Sequence, residues 1–202
     1  MFFKKKEKIN LENLQSIFTT QRQTLLQKGF GQMLAKDVFD NAWSQVEKNA
    51  QNITVSNFGT TPLLLVVNFN NVEEGIKSIN GHTELDLTKI KNEKTLPLLY
   101  VLLDVEDGAK MVAKSPKEAL KKFEKESRHA LGINESIALL THHPKLLKDH
   151  YVISAGSFYE KEGETLPLLW LLDEHGNPEL HYAWFHIAHG SYGTPSYAVK
   201  IP

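Results

Sequence analysis

The chain contains no cysteine. Thiol nucleophiles, disulfides and cysteine-ligated zinc are excluded with it, so stability must come from packing and hydrogen bonding. An excess of one charge is also missing: 23 Lys and Arg stand against 24 Asp and Glu, a formal net of −1. Nucleic-acid binders carry a basic domain or stripe, so no nucleic-acid partner is expected. The one basic run, Lys4-Lys5-Lys6, reads as a solvated tail that would attract anionic lipid only weakly. Long apolar runs are lacking too. Nothing approaches the roughly 18 apolar residues of a membrane helix. The opening Met-Phe-Phe-Lys-Lys-Lys has no apolar signal-peptide core. The expectation is a cytoplasmic chain without a membrane partner, in which the Asn52-Ile53-Thr54 sequon is a chance occurrence.

What is present suits a globular unit: 202 residues, 41% hydrophobic and 23% charged. A chain of this length buries roughly 70% of its unfolded surface and needs no covalent staple. Residues 1–50 read as a helical hairpin belonging to the same unit as an α+β domain over 51–202. Leu11, Leu14, Phe18, Leu25 and Leu26 fall at helical spacing, and Lys28-Gly29 closes that helix. Ala35, Val38, Phe39, Ala42, Trp43 and Val46 form a second stripe.

From Thr60 the pattern turns to strands. Runs beginning at Thr61, Thr95 and Thr165 are short and continuously apolar. The last two share Thr-Leu-Pro-Leu-Leu and a Leu-Leu-Asp ending, which leaves duplication and convergent strand-entry chemistry both open. Pro97 and Pro167 are expected at strand starts, where the missing N–H costs least. Residues 68–94 read as loop-rich with one short element at 84–87. Asp107-Gly108 reads as a hairpin turn, and the nearby carboxylates of Asp104 and Glu106 as turn chemistry. Ser115-Pro116-Lys117-Glu118 is a helix start with N-cap, N1 proline and capping glutamate. That helix is expected to carry Glu118/Lys122 and Glu124/Arg128 pairs and to stop at Gly132. Asn134 is read as the cap of another helix, ended by Thr141-His142-His143-Pro144. Strands are expected at Tyr151-Val152-Ile153, across the arms flanking a turn at 173–178, and over 196–201. The second arm, with Leu180, Tyr182, Trp184 and His186 on one face and His181, Ala183, Phe185 and Ile187 on the other, reads as interior. The whole predicts a mixed, largely antiparallel sheet of five to seven strands packed with helices.

Candidate chemistry gathers late in the chain. Seven of nine histidines lie between His142 and His189, so a metal site must be weighed. His181 and His186, five residues apart, point to opposite faces of a strand, so no metal site and no cofactor are expected. Ser157, after a strand and beside Gly156, resembles an oxyanion setting with His189 as base, although Ala155 breaks the G-x-S-x-G pattern. A turn serine bonded to backbone is the alternative. The Gly190-Ser-Tyr-Gly-Thr-Pro loop matches no phosphate cradle. Tyr182, Trp184, His186, Tyr192, Gly193 and Ser196 line the expected small-ligand surface.

Several short motifs recur in a fixed order: Leu96-Pro97-x-Leu99 leading to Asp104-Val105, Asn134-Glu135, Thr141-His142-His143-Pro144, Gly156-Ser157, Pro167-x-x-Trp170, Pro178-x-Leu180-x-x-x-Trp184, and His189-x-x-x-Gly193-x-x-Ser196. Over residues 96–196 this order resembles a small bacterial family defined by a domain of unknown function. The resemblance implies no particular activity or substrate. It singles out His189, Gly193 and Ser196, and places Ser191 and Tyr192 where members often carry a tryptophan. Three functions follow as expectations. One is a binding module for a small molecule or protein with its surface at 182–197. The others are a hydrolase or transferase using His189 with Ser157 or His186, and an accessory protein acting through the N-terminal helices.

Overall fold

In the computed structural model the described residues are 7–8, 10–50, 54–55, 59–91, 96–160, 164–171 and 176–202. The architecture is α+β: five helices packed on mixed, mostly antiparallel sheets. Helix α1 (Leu11–Gln27) starts at Asn10, whose side chain accepts the Asn13 N–H, and ends before Gly29 at φ +90°. Its buried stripe is Leu14, Phe18, Gln21 and Leu25. Helix α2 (Lys36–Ala50) folds back, setting Phe39 and Trp43 edge-on to Phe18.

Strands are numbered β1 to β13 along the chain. A short pair, β1 (Glu7–Lys8) and β2 (Thr54–Val55), stands by itself. The central sheet is antiparallel, ordered β13 (Val199–Ile201), β5 (Leu99–Val105), β3 (Thr61–Val67). Every residue of β5 is buried, which explains its apolar run from Leu99 to Leu103, and Asp104 is the one charged residue in it. At the open edge of β3, Gln21 donates to the Leu63 carbonyl at 2.8 Å and accepts the Leu65 N–H at 2.7 Å. A polar residue on the buried face of α1 thus covers a sheet edge.

The second sheet centres on β9 (Glu164–Leu171). Along one edge runs β10 (Pro178–Trp184). The other edge is shared by β7 (Tyr151–Ile153) and β8 (Phe158–Glu160), which continue to β11 (Tyr192–Gly193) and β4 (Ile90–Lys91). A last pair joins β6 (His129–Ala130) to β12 (Ser196–Tyr197). Seven strands have three or more residues, three in the central sheet and four in the second. Among the described residues no helix is long and apolar enough to cross a membrane.

Several local expectations need correction. Residues 68–94 contain helix α3 (Val72–Ser78), capped by Asn71. Gly75, which reads as a breaker, is there because a Cβ would lie 2.8 Å from Ile137 Cδ1. Asp107-Gly108 opens a 3-10 turn (Ala109–Met111) with Gly108 at φ +102°, and no second hairpin arm follows. Helix α4 (Pro116–Glu126) has its capping box but ends at Ser127, and Lys122 pairs with Glu126 instead of Glu118. Gly132, not Asn134, precedes helix α5 (Ile133–His142), with the Glu135 side chain on the Gly132 N–H.

Proline placement differs too. Pro97 precedes β5, whereas Pro167 lies inside β9. Its carbonyl accepts the Ser154 N–H at 2.8 Å, so its ring nitrogen faces the gap where pairing passes from β8 to β7. The β10 strand has one strand neighbour, β9, and its other side meets a single parallel bridge from Glu179 to His82. Its faces are apolar because Leu180 enters the main core and Ala183 a smaller cluster with Ile153, Leu166 and Leu168. The turn residues 172–175 lie outside the described residues.

Candidate functional site

An open cleft of about 440 Å³ lies between the start of β3 and the end of α5. Thr60 and Thr61 form one side, Asp107 another, and His142, His143, Lys145 and Asp149 the third, with Pro144 and Leu146 as its apolar part. Local sequence explains the geometry. Pro144 ends α5, and the His143 N–H closes its last turn on Leu139 at 2.8 Å. The chain then folds into a 3-10 turn (Leu146–Lys148). His143 is thereby set across from Thr61, ring Nε2 to Thr61 Oγ1 at 3.0 Å.

Asp107 is held by three contacts. Its carboxylate accepts the Ala109 N–H at 2.9 Å, its own N–H donates to Thr60 Oγ1 at 3.2 Å, and its carbonyl lies 3.0 Å from His150 Nε2. Beneath it lies a buried ion pair. Asp104, in the left-handed region at φ +56°, accepts from the Gly59 N–H and from Arg128 at 3.0 Å. Arg128 also donates to the Asp104 carbonyl at 2.6 Å and to Ser196 Oγ at 2.9 Å. Arg128 therefore turns inward, away from the expected partner Glu124.

The two adjacent histidines behave differently. Burial pushes His142 down to about 4, so it is neutral at pH 7. Its Nε2 lies 3.3 Å from the Leu65 carbonyl, which can only accept, so Nδ1 is the unprotonated nitrogen. That Nδ1 is buried and has no partner. His143 is exposed by area, but desolvation of its ring lowers its pKa, with Asp107 pulling it back up. A neutral imidazole 3.0 Å from a hydroxyl can take a proton from it or orient a bound donor.

The residues singled out in sequence lie elsewhere. Ser157 is buried and its Oγ accepts the Ile133 N–H at 2.8 Å, in the first turn of α5. His189 is exposed, 4.3 Å ring to ring from Tyr192, with Nδ1 accepting the Ser191 N–H at 3.2 Å. His186 pairs with Glu164 at 2.7 Å on the surface. Tyr182 stacks on Tyr159 and meets Trp184 edge-on. Tyr192 packs near Tyr151, and desolvation raises its phenol pKa. The structure thus brings Tyr182 to Trp184 and His189 to Tyr192.

Gly193 and Ser196 belong to the frame of the cleft: Gly193 is pressed on His150 and Gly108, and Ser196 binds Arg128. Among the described residues no group of three or more His, Asp or Glu side chains is arranged to hold a metal ion. Thr60, Thr61, Lys145 and Asp149 were not visible as site residues in sequence. Thr61 and His143 are 82 positions apart and carry no local motif linking them.

Fold and cleft define an α+β protein with a preformed, histidine-walled cleft. The chain belongs to a family of unknown function, DUF5701, whose model matches residues 24–201, from within α1 to the end of β13. The likeness therefore extends beyond the 96–196 span of the short motifs, into the N-terminal helices. No curated protein matches the chain, and no solved structure does.

Proposed function

We propose that the protein is a small-molecule-binding module and that its ligand occupies the His143 cleft. The observation that carries this reading is a 440 Å³ concavity in which polar groups from three separate segments converge on an apolar wall of Pro144 and Leu146. Ligand sites are commonly 300–1,000 Å³ with a few fixed polar groups. The polar groups here are fixed: Thr61 holds His143, and Thr60 and His150 hold Asp107. The aromatic surface at 182–197 supports a binding role less well, because Gly193 and Ser196 are buried there. A fragment screen read by amide chemical shifts tests the proposal. Perturbations should cluster at Thr60, Thr61, Asp107 and His143 and vanish in His143→Ala. Clustering at Tyr182, Trp184 and Tyr192 would overturn it.

A hydrolase using Thr61 as nucleophile and His143 as base is the second reading, favoured by their 3.0 Å contact. Under it, Thr61→Val and His143→Ala each abolish ester hydrolysis in a broad substrate screen without lowering the melting temperature. A silent screen with the unaltered protein removes this second reading.

A further inference from the structure

We propose that the ligand of this cleft is a small organic molecule bearing a protonated amine, a deepening that rests on the reading of the cleft as a binding site. The first argument is charge. Asp107 and Asp149 line the cleft against a single Lys145. None of the three forms an ion pair with another described residue. With both imidazoles uncharged at neutral pH, two carboxylates face one ammonium, and the cleft carries a net negative charge. A ligand carboxylate or phosphate would meet this field as a like charge, with only the flexible Lys145 to offset it.

The second argument is hydrogen-bond polarity and does not depend on charge. Asp107 uses its carboxylate to accept from Ala109, and carboxylate oxygens accept more than one donor. Asp149 adds a second carboxylate to the lining. Thr60 already receives the Asp107 N–H and turns its own hydroxyl to the Val105 carbonyl. The carboxylates of Asp107 and Asp149 therefore leave acceptor positions on the wall, alongside the donors of Lys145. A primary ammonium, with three donors and no acceptor, complements that set. Pro144 and Leu146 supply a surface for a short alkyl chain beside it.

The test titrates the full chain at neutral pH and constant ionic strength with n-butylamine, n-butanol and sodium butyrate, read at the amides of Thr60 and Asp107 and the ring of His143. Butylamine should bind about fivefold tighter than either isostere, the scale of one well-solvated charge contact. Asp107→Asn and Asp149→Asn should each weaken butylamine about threefold or more and leave butanol unchanged; asparagine keeps the acceptor for Ala109. Equal affinity for all three probes, tighter binding of butyrate, or butylamine affinity indifferent to both substitutions would overturn the amine while leaving the cleft as the site. No shift at these residues with any probe would overturn cleft and amine together.

Discussion

Two largely buried basic side chains, His142 and Arg128, tie stability to charge. For His142, the folded pKa of about 4 lies below the ordinary imidazole value of 6.5. Between those values the unfolded chain binds more protons than the folded one, so stability rises with pH across the window and is lost as pH falls through it. The causes are burial first, with His143 and Lys28 adding repulsion and the Leu65 carbonyl opposing. The full swing is on the order of 3 kcal/mol. Urea unfolding of the protein and of His142→Gln between pH 7 and 4 checks it: the difference between the two curves should shrink or change sign toward low pH. Parallel curves would refute the assignment.

Arg128 is the second. Its partner Asp104 has a 3% exposed side chain, and Arg128 itself is 12% exposed. Arg128→Ala strands a carboxylate in the interior and should cost about 3–5 kcal/mol. Adding Asp104→Asn should recover part of that loss, because asparagine tolerates φ +56° and carries no charge. If the double variant is no more stable than the single one, the cost lies in lost packing instead.

Elements were legible where the local code and tertiary packing agree. The Ser115 capping box, the Gly29 stop of α1 and the three apolar strand runs could be read because each is settled within a few residues. Helix α3 was hidden by Gly75, whose missing side chain makes room for Ile137 and Phe69 across the core. The interior reading of β10 failed because side-chain burial on both faces says nothing about how many strands lie alongside. His142, His143 and Asp107 were each visible as residues, but not as one site, since the cleft exists only once β3, the turn after β5 and the end of α5 meet. Gly156 shows the same dependence. A Cβ there would lie 2.5 Å from the Ala130 carbonyl oxygen and 2.8 Å from the Gly132 nitrogen, both backbone atoms. Backbone cannot swing aside as a side-chain tip can, so Gly156→Ala should cost about 3 kcal/mol, toward the upper end for overpacking. Denaturant midpoints at constant m value measure it, and a neutral result would mean the β6–α5 connection moves freely.

At the scale of the whole molecule, the N-terminal helices and the central sheet share one core. Leu14, Phe18, Leu25, Leu34 and Phe39 sit in the same cluster as Leu63, Leu65, Val101 and Leu103. Five such side chains contribute roughly 10 kcal/mol at about 2 kcal/mol each, comparable to the 5–15 kcal/mol that holds a typical domain folded. The fragment 51–202 should therefore show no cooperative unfolding transition. The family match begins at residue 24, inside α1, and that boundary is not a folding boundary. A fragment starting there loses Leu14 and Phe18, and with Gln21 it loses the amide that covers the β3 edge. An uncovered, apolar edge strand pairs with its like. Fragment 24–202 should accordingly elute as oligomers in size-exclusion chromatography, and Gln21→Ala in the full chain should reproduce the tendency in milder form. A monomeric, cooperatively folding 24–202 would show that β3 closes its own edge and that the core needs only the second half of α1.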